Sequence, residues 1–68
     1  MELNDKQKRD LASAKRIATR KLNIVKQSGL MVNENEKAMQ TLFMFKYLWE
    51  HGYEPIQALQ LVEVVQCH

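Results

Sequence analysis

The stretch KQKRDLASAKRIATRK, residues 6–21, spaces lysines and arginines as the turns of a helix would. Ammonium and guanidinium groups neutralise phosphates and release condensed counterions, which binds nucleic acid without reading its sequence. A guanidinium can also fork onto two phosphate oxygens or onto a guanine edge. Arg9, Arg16 and Arg20, flanked by Lys8 and Lys15, are the candidate residues for this chemistry. Two features count against it: no aromatic is interleaved for base stacking, and Asp10 interrupts the patch. An acidic protein surface would satisfy the same cations, and a charged helix face that only meets water is the plain alternative.

The remaining reactive side chains do not assemble. Cys67 and His68 are adjacent and could ligate a metal, but nothing nearby in the sequence completes a site. His51 precedes Gly52, where a cation eases a helix C-terminus. Ser13, Ser28 and the carboxylates Glu34 and Glu36 lack the base, orienting group and cleft that catalysis requires. Two isolated glycines cannot build a phosphate-cradling loop. The expectation is a non-enzymatic chain with no cofactor and no metal.

Three helices must position these residues, an all-α arrangement of one long basic amphipathic helix and an αα-hairpin in a single domain. The first is expected over 5–27, with Asn4 as cap, Gln7 completing a capping box and Gly29 just past its end. Leu11, Ala14, Ala18, Leu22 and Val25 fall on one stripe, and Arg9, Arg16 and Arg20 fall opposite it. The second helix is expected over 34–51, with Asn33 as cap and Glu36 at the capping-box position. Ala38, Leu42, Phe45 and Trp49 form a tight stripe on it, yet Met39, Phe43, Met44, Tyr47 and Leu48 spread over the other directions. The third is expected over 55–66, opened by Pro55. Its β-branched residues would also permit a strand.

Charge divides along the same line. Residues 1–27 sum to +5 and residues 28–68 to −3, an asymmetry that hints at an acidic partner or lets one half dock on the other. A plain αα-hairpin accounts for 46–65 better than a helix-turn-helix, because the third helix offers Glu54 and Glu63 and no Lys or Arg to DNA.

The segment LFMFKYLWEHGYEPIQALQLVEVV, residues 42–65, holds more large apolar side chains than two short helices need for one core. A chain of 68 residues is near the lower limit for an unaided core, and its one cysteine excludes an internal disulfide. Self-association is the remaining staple. The expectation is therefore a dimeric helical bundle joined through the second and third helices, with Phe43, Tyr47, Trp49, Leu61 and Val65 at the interface and Tyr53 among its aromatics. No apolar run is long enough to span a membrane, and the lone thiol suits a reducing, cytoplasmic setting. Two functions follow: a regulatory homodimer presenting its basic helix to DNA, RNA or an acidic protein, or an adaptor or inhibitor that binds another protein through its apolar hairpin.

Overall fold

Asn4 opens the first helix. Its side chain accepts the Gln7 amide at 2.7 Å, and the Gln7 side chain accepts the Asn4 amide at 3.0 Å, so the capping box is formed. In the computed structural model, which describes residues 2–29 and 36–66, this helix is α1, Asp5–Gln27. It is followed by α2, Glu36–Glu50, and α3, Pro55–Gln66, with no strand among the described residues. The expected cap Asn33 and start Glu34 of the second helix lie outside the described residues. At its other end α2 stops at Glu50, one residue before the expected boundary, with His51 already in the turn.

The corner between α2 and α3 is a Schellman motif. The Gly52 amide donates to the Trp49 carbonyl at 3.2 Å and the Tyr53 amide to the Leu48 carbonyl at 3.1 Å. Gly52 sits at φ 95°, in the left-handed region that only glycine enters without strain. The chain is thereby turned back so that Tyr53 joins Leu48 in the core. Beyond it Pro55 takes the first helical position, and the Gln57 side chain accepts the Glu54 amide at 3.2 Å. The β-branched content of α3 does not make it a strand: with no strand beside it among the described residues, a helix satisfies its backbone internally.

One cluster joins the three helices. Leu11, Ala14 and Ala18 of α1 meet Met44 and Leu48 of α2, with Tyr53, Ala58, Leu61 and Val62 completing it. Ala14, Ala18 and Ala58 are wholly inaccessible, and side chains this small let helix axes approach closely. The α1–α2 pairing is the most extensive, α2–α3 is second and α1–α3 is slight. So α2 lies between the other two. It runs antiparallel to α1, fastened at one end by Lys26 Nζ to Glu36 Oε1 at 2.9 Å and midway by Gln40 Nε2 donating to Thr19 Oγ1 at 3.3 Å.

This arrangement decides which apolar side of α2 is used. Met44 and Leu48 turn inward, whereas Leu42 and Trp49 remain 58% and 56% exposed. Ala38, Leu42 and Trp49 of the tight stripe are thus left uncovered by α1 and α3, while Phe45 is half-buried against the core. Leu61, expected at an intermolecular interface, is only 1% exposed and belongs to the chain's own core, because the Gly52 corner folds α3 onto Leu48 and Met44. Phe43, Tyr47 and Val65 are half-buried against that core rather than presented outward.

A polar cluster pins the corner to α1. The Tyr53 hydroxyl donates to Asp10 Oδ2 at 2.7 Å, Lys6 Nζ lies 3.1 Å from the same oxygen, and Lys6 also sits 4.8 Å from the Tyr53 ring centre. The Tyr53 hydroxyl and then Lys6 hold the Asp10 carboxyl below its ordinary range, while burial and then the bonded Asp10 push the Tyr53 phenol up. Because Asp10 ionises more readily folded than unfolded, its contribution is complete above the unfolded value near 4 and disappears as pH falls through the lower folded value. Tyr53→Phe is expected to cost about 1.5–3 kcal/mol in urea unfolding at neutral pH, as for a hydrogen bond to a charged acceptor. Combined with Asp10→Asn it should cost much less than the two single losses added. Asp10→Asn alone should flatten the acid limb of the stability–pH curve.

Candidate nucleic-acid interface

The face opposite the α1 core stripe is built by helical register. Arg9, Arg16 and Arg20 stand at i, i+7 and i+11, all exposed, on the side away from Leu11, Ala14 and Ala18. At 1.5 Å per residue the row covers about 16 Å of the helix axis. Lys8 and Lys15, also exposed, lie to one side, where with Leu3, Leu11, Ala12 and Val65 they line a shallow groove of about 350 Å³ between α1 and the end of α3. The structure therefore gathers the five expected cations on α1 into an outer arginine row and a lysine edge.

Their neutralisation is uneven. Lys6 is held by Asp10 and Lys26 by Glu36, and Lys21 lies 5.9 Å from the Phe43 ring centre. None of Lys8, Arg9, Lys15, Arg16 and Arg20 has an ion-pair partner among the described residues. Asp10, which the sequence places within the basic patch, does not interrupt it: Tyr53 and Lys6 draw its carboxylate toward the α2–α3 corner. Asp5, one turn before Arg9 and exposed, leaves Arg16 and Arg20 as the most strongly positive part of the row.

The five residues expected at an oligomer interface do not share one surface. Phe43 lies under Lys21, and Tyr47 stacks on His51 with ring centres 3.9 Å apart. Leu61 is internal and Val65 borders the lysine groove. Trp49 alone among them is largely exposed, and its neighbours are not among the five. With Leu42, Phe45, Lys46 and Glu50 it lines an open groove of about 450 Å³, which continues past Ala38, Thr41 and Leu42 to Leu59 of α3. The stripe Ala38, Leu42, Phe45, Trp49 was the signal for this surface. What it lacked was a direction.

His51 directs Nδ1 at the Tyr47 carbonyl, 2.8 Å away, and since a carbonyl only accepts, Nδ1 carries the proton. Ser28 donates its hydroxyl to the Val25 carbonyl at 2.6 Å, closing the end of α1. Among the described residues no group of three or more His, Cys, Asp or Glu side chains is placed to hold a metal, and no helix is long and apolar enough to cross a membrane. Cys67, His68 and Glu34 lie outside the described residues.

No protein-family model, curated protein or solved structure matches the chain. Side-chain geometry carries the functional reading.

Exposed arginines that touch no acid contribute little to folding. Arg9→Ser, Arg16→Ser and Arg20→Ser are each expected to leave the free energy of unfolding within about 0.5 kcal/mol of the parent, measured by urea titration.

Proposed function

We propose that this chain is a small non-enzymatic binding protein whose α1 face docks on the phosphate backbone of nucleic acid. The observation that carries the reading is the set of five exposed cations, Lys8, Arg9, Lys15, Arg16 and Arg20, without acidic partners among the described residues. The charge asymmetry between the two halves is not consumed by docking one on the other, since Lys26–Glu36 is the single ion pair that joins them among those residues. A straight row of guanidinium groups on a rod suits backbone contact. The aromatics all lie in the hairpin, so the ridge offers no platform for stacking unpaired bases, and duplex is favoured over single strands.

An acidic protein would meet the same charges, but a phosphate backbone supplies closely and regularly spaced anions along a rigid edge, which a straight cationic row matches with little rearrangement. A second reading, an adaptor or inhibitor that binds protein through its hairpin, draws support from the exposed Leu42, Trp49, Ile56 and Leu59.

The test is fluorescence anisotropy with an arbitrary labelled duplex across a salt series. Binding is expected at low salt and should weaken along a log–log slope of about −3 to −5, as three to five phosphate contacts would give. Charge reversal at Arg16 and Arg20 together should abolish it without altering the helical circular dichroism. Absence of binding at low salt, or binding indifferent to that double change, would remove the reading. Salt-sensitive capture of polyglutamate but not of DNA or RNA would transfer the face to an acidic protein.

A further inference from the structure

We infer that the bare α2–α3 flank is covered by a second copy of the same chain, in an antiparallel α2–α2 contact about a two-fold axis. The flank is wide and apolar: Leu42, Trp49, Ile56 and Leu59 are 58%, 56%, 71% and 49% exposed. It spans two helices, because Leu59 lies beside Ala38, Leu42 and Phe45, and Ile56 stands one turn before Leu59 on the same side of α3.

The pattern of the stripe selects a helix as the occupant. Ala38, Leu42, Phe45 and Trp49 follow one another at steps of four, three and four residues, the alternation by which one helix seats in the seam of another. Their sizes select this particular helix. A two-fold contact brings residue i to residue j and residue j to residue i. Laid antiparallel, the stripe places Ala38 opposite the partner copy's Trp49 and Leu42 opposite its Phe45, in one register. The smallest side chain then meets the largest, as interdigitating packing requires. Leu59, beside the middle of the stripe, would close one edge of the seam from both copies.

Charge agrees with this choice. The groove is edged by Lys46 and Glu50, one of each sign, so its rim selects neither a polyanion nor a polycation. The α1 arginine row lies on a different side of the molecule and is not used. The seam runs about 16 Å along the helix axis. Two such flanks would bury on the order of 1,000 Å² in total, at the low end for specific association, so the dimer should dissociate on dilution. This inference does not rest on the nucleic-acid reading, and either can fail without the other.

Sedimentation equilibrium of the full chain over a concentration series tests it. The parent is expected to pass from monomer to dimer, and Leu42→Glu to weaken self-association on the order of a hundredfold while keeping its helical circular dichroism, since a carboxylate would be driven into an apolar seam. The register has its own check. Trp49→Ala leaves a hole and Ala38→Trp a clash, so each should weaken the dimer, whereas the two together exchange the sizes and should restore most of it. A parent that stays monomeric throughout overturns the inference, including the case in which the flank holds only a foreign protein. A parent dimer indifferent to Leu42→Glu, or single variants that are not rescued by their combination, overturns the seam.

Discussion

A helix that is apolar around much of its circumference needs cover on each apolar side, and α2 has neighbours on two. This shortage shapes the rest of the molecule. The seam with α1 is made narrow by Ala14 and Ala18, and Ala58 does the same from α3. Close approach at these alanines favours the unbranched Met44 and the compact Leu48 as the inward pair. Trp49 is left outside, where the half-buried Phe45 supports it edge to face, with ring centres 5.5 Å apart and planes at 66°. Such a pair gains something from its geometry, but less than burial would give.

The second governing element is the corner at Gly52. By turning the chain within a few residues it delivers Tyr53 to Asp10 and sends α3 toward the first half of α1, so that Val65 borders Leu3, Lys8 and Lys15. That placement has an electrostatic side effect. The acid that would have diluted the α1 cations is occupied by the corner, and Lys6 is occupied with it. One polar cluster therefore both fixes the hairpin and purifies the charge of the opposite face.

How much of this could be read in advance depended on how many solutions each segment allowed. In α1 the apolar residues form one stripe among alanines and cations, so the core face, the cap Asn4 and the outward arginines all followed from the sequence. In α2 every direction carries a large apolar side chain. Periodicity found the stripe of Ala38, Leu42, Phe45 and Trp49 but could not orient it, because that depends on where α1 and α3 come to rest. Leu61 points inward for a reason of the same kind: on a helix apolar nearly all round, only the corner geometry tells inside from outside. The cations of the basic face were legible as types and positions. Which of them are neutralised was not, since Lys26 meets Glu36 ten residues away and Asp10 meets Tyr53 from forty-three residues away.

The chain has a single tryptophan, and it stands on the uncovered flank rather than in the core. Its indole is therefore a natural optical label for that surface. Emission will be governed by whatever excludes water from the flank and only weakly by changes among Met44, Leu48 and Leu61. Quenching by a neutral solute such as acrylamide would then read occupancy of the groove directly, in the unmodified protein and at concentrations too low for hydrodynamic methods.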